Sequence, residues 1–217
     1  MKYELTDETN WSGLRRIRAL RDIPRCGVKE GDLGGWVESE GNLTQEGDCW
    51  VFDDAQVCGN AQVFDAAQVC DNAQVGGNAQ VSGNARVSDT AQVCGDARVF
   101  GNAMVCDNAR VSETALIYGD ARVSDDAQVF GNARVCDAAR VCGNARVFGN
   151  AMVFDNARVF GNAQVSDTAL IYGNAQVFDD AWVFDAVVSD DARVCGNARV
   201  GGNAMVFDAT VCGGVAS

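Results

Sequence analysis

The sequence contains no histidine, and its single proline is Pro24. Histidine is the side chain that most readily acts as a general base near neutral pH. A cysteine nucleophile would need histidine or another activating neighbour, and the sequence indicates none. Asp or Glu could serve as a base, but no acidic residue is set apart by a break in the sequence pattern. We therefore predict no catalytic residue and no cofactor.

Long apolar runs are also missing. Neither end of the chain carries an apolar stretch long enough to span a membrane, and Met1 to Leu5 does not form a signal peptide. We therefore expect a soluble, cytoplasmic protein.

Basic residues are in the minority, and the formal net charge is −13. Residues 1–40 contain seven basic and eight acidic side chains, whereas the remainder contains ten basic and 22 acidic ones. The acidic surplus therefore lies after residue 40. It disfavours nonspecific binding to nucleic acid or to an anionic membrane, so we expect neither as a partner.

The chain does contain a six-residue repeat of the form V-x-[G/D]-[N/D]-A-[Q/R]. Valine or isoleucine occupies every sixth position from 51 to 183, and alanine every sixth position from 55 to 181. This period is neither that of a helix nor that of a simple hairpin. It indicates a solenoid.

Each repeat is predicted to form one short strand and one corner. Alanine and valine are two residues apart, so both point to the same side of a strand. Glycine, Asp and Asn then provide the positive φ and the local hydrogen bonds of a sharp turn. Three repeats close a coil of 18 residues; in agreement, the segment 111–119 returns at 165–173, a separation of three coils.

The spacing of Val57 and Ala61, and of Val99 and Ala103, resembles the hexapeptide-repeat family. The resemblance covers roughly residues 49–217. It implies an all-β fold, a single-stranded left-handed parallel β-helix of about nine triangular coils, and its handedness is taken from the family. We expect two parts: residues 1–36 as a small N-terminal β cap, and residues 37–217 as the β-helix.

The first 36 residues lie outside the repeat. The segment from Leu14 to Arg21 alternates loosely and reads as a strand. A capping element is expected because the first coil would otherwise expose an unpaired edge. The run from Gly31 to Val37, with Cys49-Trp-Val51, resembles the start of phage-type and prophage-type bacterial members of the family, which often carry an acetyltransferase label. The resemblance brings no activity with it.

Acyltransferases of the family use a histidine base between subunits, and usually a loop that protrudes from a corner to line the cofactor site. This chain has no histidine, and no insertion interrupts residues 51 to 183. We therefore favour a noncatalytic rod that acts as a scaffold or interaction module. Two alternatives remain: an acetyl-CoA-dependent, acyltransferase-like enzyme with an unconventional base, and an acidic mimic that occupies a nucleic-acid-binding protein. The ten arginines after residue 40 weigh against the mimic.

Sorting the outward residues by the 18-residue period gives three faces. The first face carries Arg86 and Arg122, the second face carries Gln56 and Gln74, and the third face is unusually apolar. A monomer rarely exposes such a strip, so we predict that the third face is buried in a homo-oligomer, a dimer or a trimer. Alternatively, its aromatics simply favour strand surfaces and stack across strands. The candidate interface residues are Phe100, Leu116, Tyr118, Met152, Phe154, Leu170, Tyr172, Val187, Met205 and Phe207.

One corner column is acidic. Its residues should lie above one another about 4.8 Å apart, a spacing that could recruit a cation. Alternatively, each carboxylate hydrogen-bonds only its own turn, and Gly143 and Gly161 continue the column without difficulty. The weak metal candidates are Asp53, Asp71, Asp89, Asp107 and Asp125.

Eight of the ten cysteines occupy the position after the repeat valine. Most are two coils apart, roughly 10 Å, which is too far for a disulfide. Only Cys195 and Cys212 could be neighbours on adjacent coils. The valine spacing shortens to five residues at 183–188 and at 206–211, where one corner residue is missing each time. We expect reduced thiols throughout.

Overall fold

The computed structural model describes the backbone of residues 1–216 and the side chains of residues 1–214. The fold is all-β: sheets of 13, 10 and 9 strands form the three sides of a left-handed parallel β-helix. Two three-residue 3-10 helices, Pro24–Cys26 and Glu40–Asn42, lie near its N-terminal end. No helix in the described residues has the length and apolar character to cross a membrane. Ser217, the last residue of the predicted solenoid, lies outside the described residues.

The three faces predicted from the sequence are the three sheets. The first face comprises Trp50–Val51, Gln68–Val69, Arg86–Val87, Met104–Val105, Arg122–Val123, Arg140–Val141, Arg158–Val159, Gln176–Val177, Arg193–Cys195 and Thr210–Cys212. The repeat strands of the second face are Gln56–Val57, Gln74–Val75, Gln92–Val93, Arg110–Val111, Gln128–Val129, Arg146–Val147, Gln164–Ser166, Trp182–Phe184, Arg199–Val200 and Val215–Ala216. The third face comprises Gln62–Val63, Gln80–Val81, Arg98–Val99, Leu116–Ile117, Arg134–Val135, Met152–Val153, Leu170–Ile171, Val187–Ser189 and Met205–Phe207.

Each repeat strand pairs in parallel with its copy in the next coil. Gln56 lies opposite Gln74, and Val57 lies opposite Val75, which confirms the coil of 18 residues. The first face contains ten such strands, so the helix has about ten coils, close to the nine expected. Over most of the helix, position i therefore lies under position i+18.

The core is built from the repeat alanine and valine columns. Val57, Ala61 and Ile117, among many others, are completely buried. The two inward side chains of each strand fill the narrow interior of the coil, so the core needs one small and one branched residue in each strand. This accounts for the regularity of these two positions in the sequence.

The corners are held by side-chain ladders. Asn60 Nδ2 donates to Asn78 Oδ1 at 3.0 Å, and Asn78 Nδ2 donates to Asp96 Oδ1 at 2.8 Å. A ladder of this direction ends at an aspartate, because a carboxylate accepts hydrogen bonds but has none to donate.

The N-terminal segment extends the second face. Strands β1 (Tyr3–Thr9), β2 (Arg15–Ala19) and β3 (Leu33–Val37) form an antiparallel sheet, and β3 then pairs in parallel with Gln56–Val57. The strand predicted within 14–21 is present, whereas β1 was not anticipated. The fully buried Lys2 fixes this segment to the first coil, because its Nζ donates to the Cys49 carbonyl oxygen at 2.9 Å.

Near the C-terminal end the register shortens as the sequence indicates. Val187 lies over Leu170, and Thr210 lies over Arg193. The missing corner residue brings Cys212 directly over Cys195, with Cα atoms 4.5 Å apart and the sulfur atoms in bonding contact as a disulfide. The expectation of reduced thiols is therefore wrong for this pair. The other eight cysteines are free.

A corner glycine provides a test of the stacking. Gly101 has a φ of 75°, and a Cβ there would lie 3.0 Å from the Gly119 backbone nitrogen. We expect Gly101→Ala to lower the free energy of unfolding by about 1–2 kcal/mol, the strain of a left-handed conformation. Gly41→Ala is the control, since its Cβ meets only Ser39 Oγ at 3.5 Å. Urea denaturation measures both, and equal losses would contradict the prediction.

Candidate functional site

The ten predicted interface residues all lie on the third face, in two columns. The strand column contains the aliphatic side chains, and the corner column contains the aromatic ones. In the single chain, eight of the ten side chains are half-buried. Met205 and Phe207, in the last coil of this face, are 67% and 45% exposed.

The aromatic rings of the third face stack between coils. The ring centroids of Phe100 and Tyr118 are 5.0 Å apart, with an angle of 2° between their planes. Rings stack in the same way on the second face, between Phe130 and Phe148, also at 5.0 Å. Stacking between coils therefore accounts for aromatics in the corner position wherever it occurs, and it does not by itself mark an interface.

What distinguishes the third face is its lack of covering cations. On the other faces arginines lie over the rings: the guanidinium carbon of Arg146 is 5.3 Å from the Phe130 centroid, and that of Arg193 is 5.2 Å from the Phe178 centroid. In the part of the chain with described side chains, all cation–π contacts fall on the first and second faces. The third face instead presents Leu170, Val187 and Met205 on adjacent coils. Its apolar surface is left open to a partner.

The predicted aspartate column is present, and its carboxylates join successive coils. Asp71 Oδ2 accepts a hydrogen bond from the Asp89 backbone N–H at 3.1 Å, and Asp107 Oδ2 accepts one from Asp125 in the same way at 3.1 Å. The carboxylates are therefore used across coils, and Asp89 and Asp107 also accept a hydrogen bond within their own turns, from Ser88 and Cys106. Asp89, Cys106 and Asp107 bring potential ligand atoms within 4.8 Å of one another, and both carboxylates are exposed.

The cysteine thiols are poorly suited to act as nucleophiles. Burial raises the pKa of Cys70 to about 11. Burial, together with a hydrogen bond to the Asp107 carboxylate, raises the pKa of Cys106 to about 12. Burial also raises the pKa of the Cys58 and Cys142 thiols. A higher pKa leaves less of the reactive thiolate at neutral pH.

A cavity of about 670 Å³ opens at the N-terminal end of the third face. Its lining includes the acidic side chains of Glu40, Glu46 and Asp65, together with Phe64. No basic side chain and no thiol line it. This cavity could not be anticipated from the repeat pattern, because part of its wall comes from the segment that precedes the repeat.

We expect Asp107→Asn to speed the alkylation of Cys106. Replacing the carboxylate with a neutral amide removes a nearby negative charge and turns a charged hydrogen-bond acceptor into a weaker, uncharged one, and so lowers the pKa of Cys106. The measurement is iodoacetamide labelling at pH 9, followed residue by residue by mass spectrometry. Cys70 is the internal control, because Asp107 is not among the groups that shift the pKa of Cys70. An unchanged rate at Cys106 would contradict the assignment.

A comparison with protein-family models agrees with the β-solenoid architecture. A family model described as YdcK Beta solenoid repeat matches residues 55–71, 79–90, 91–107, 127–143, 139–153 and 198–214. Comparison with curated protein sequences found no match. One of the solved structures that match is LpxA from Acinetobacter baumannii, with 11% sequence identity and a TM-score of 0.38 over 68% of this chain and 67% of that chain.

Proposed function

We propose that this chain, whose repeats resemble those of the hexapeptide-repeat β-helix family, is a noncatalytic rod that serves as a scaffold or protein-interaction module. The aspartate and cysteine side chains, which could take part in catalysis, instead contact or lie between neighbouring coils. The carboxylates of Asp71 and Asp107 accept backbone hydrogen bonds from the next coil, and burial raises the pKa of the Cys70 and Cys106 thiols. The phage origin suggested by the N-terminal segment remains a prediction.

This proposal rests on the apolar side chains of the third face. Its side chains at Leu170, Val187 and Met205 form a continuous aliphatic strip over three coils, beside stacked rings that no arginine covers. Removing apolar surface from water stabilises an association by about 25 cal/mol per Å². We propose that the partner is a second copy of the chain, since a symmetric contact can place the same strip on both sides of one interface.

Arg98 and Arg134 interrupt the strip in the N-terminal half of the third face. The aliphatic residues are contiguous in the C-terminal half, which forms the larger part of the proposed contact, and Leu116 adds a shorter apolar patch between the two arginines. A dimer is the simplest arrangement, and a trimer would use the same face.

The Leu116→Glu/Leu170→Glu double variant tests the proposal. We expect the wild-type chain to elute as a dimer or trimer and the variant as a monomer, because four or more carboxylates would be forced into one apolar contact. The measurement is size-exclusion chromatography with light scattering. The matched control is Gln92→Glu/Gln128→Glu, which adds the same charge to the second face and should keep the oligomer.

Two results would contradict the proposal. A monomeric wild-type chain would overturn self-association through the third face. Saturable binding of acetyl-CoA in calorimetry would overturn the noncatalytic assignment and favour the acyltransferase-like alternative.

A further inference from the structure

A second surface, remote from the third face, has the features of a ligand site. A cleft of about 340 Å³ lies between the loop that joins β1 to β2 and the second face. Trp11 lines it on the loop side, Gln56 and Gln74 line it on the sheet side, and Trp36 also borders it. We call it the Trp11 cleft.

Trp11 is the most exposed large apolar side chain in the described part of the chain, at 91%. The turn that carries it is nevertheless well fixed. Asn10 Oδ1 accepts hydrogen bonds from the backbone N–H groups of Ser12 at 2.9 Å and Leu14 at 3.0 Å, and Gly13 N–H donates to the Asn10 carbonyl oxygen at 3.0 Å. An indole held outside the core on an ordered turn is positioned to be buried by a partner.

One residue that lines the cleft carries a hydrogen-bond donor without a partner, and a second such donor lies behind the Trp36 wall. Among the described residues, the buried side-chain nitrogen and oxygen atoms without a partner are Asn10 Nδ2 and Arg16 Nε. Asn10 lines the cleft. The guanidinium of Arg16 lies 4.8 Å from the Trp36 ring centroid, and its Nη1 is 3.8 Å from Asp54 Oδ1. Leaving a buried donor unpaired is unfavourable, so the Asn10 amide favours an incoming group with an acceptor oxygen.

The chemistry of the lining favours a sugar. The amides of Gln56, Asn72 and Gln74 can each donate and accept, and the Asp54 carboxylate adds a further acceptor. A pyranose ring presents hydroxyl groups at its edge for such partners and an apolar C–H surface for an indole. A peptide would instead need apolar pockets for its side chains, and this wall offers mainly amides. We propose that the Trp11 cleft binds a carbohydrate, with one sugar ring stacked on Trp11.

The cleft is continuous with a longer polar track. Gln56, Gln74 and Gln92 lie in register on successive coils of the second face, about 4.8 Å apart. An extended oligosaccharide could therefore run from Trp11 along the rod, with one or more amides within reach of each sugar. The ligand class is thus a segment of a polysaccharide rather than a free monosaccharide. The site uses the second face and does not depend on self-association through the third.

The test begins with the wild-type chain on a printed array of oligosaccharides containing neutral, N-acetylated and uronic-acid sugars. The tightest array member is then titrated by tryptophan fluorescence and calorimetry. We expect Trp11→Ala to weaken binding by about tenfold or more, because the stacking surface is lost. Gln74→Ala should weaken it by roughly threefold to tenfold, through the loss of one amide.

Trp182→Ala is the matched control, since it removes an indole from the far end of the same face. It should leave the affinity within about twofold, because it is remote from the cleft. Circular dichroism melting establishes that each variant is folded. The proposal is overturned if no array member binds, or if Trp11→Ala binds as tightly as the wild type.

Discussion

The parallel pairing of each coil with the next is the interaction on which the whole structure depends. Because Gln56 lies opposite Gln74 and every later repeat follows the same rule, each residue is stacked on its own equivalent. A residue type that packs well against its own copies above and below stabilises the rod in every coil, and a residue type that packs poorly destabilises the rod in every coil. As a consequence, only a few residue types occur at each position of the repeat.

Stacking carboxylates directly above one another would cause electrostatic repulsion between them. Hydrogen bonds between coils offset this repulsion. The Asp71 carboxylate accepts a backbone N–H from Asp89, so the charge faces a hydrogen-bond donor belonging to the next coil. The Asn60 and Asn78 amides form a directional ladder that ends at the Asp96 carboxylate. The same close stacking buries thiols and raises the pKa of Cys106. Corner residues are therefore committed to joining the coils, and functional variation is left to the flat faces.

The faces and the cap differ in what they offer. The third face presents aliphatic residues such as Leu170 beside rings without covering cations, which suits a like surface. The second face presents amides, and its apolar contact comes from the irregular segment that precedes the repeat. Trp11 stands on a turn outside the stack, where no coil above or below constrains the residue type. Irregular segments of a repeat protein are natural places for a specific site, because the stacking rule does not apply to them.

The sequence by itself determined everything that repeats with the coil. The valine and alanine core, the asparagine ladder and the apolar third face all follow from a fixed separation along the chain, which periodicity reveals directly. The approach of Cys212 to Cys195 follows from a visible one-residue shortening of that separation. The tertiary structure alone decided the contacts that have no period. The burial of Lys2 against Cys49, the strand Tyr3–Thr9, the contact of Arg25 with Asn84 and the cleft beside Trp11 belong to this class. They join a nonrepeating segment to distant coils through side chains of ordinary type. Only the folded path of the chain brings those side chains together.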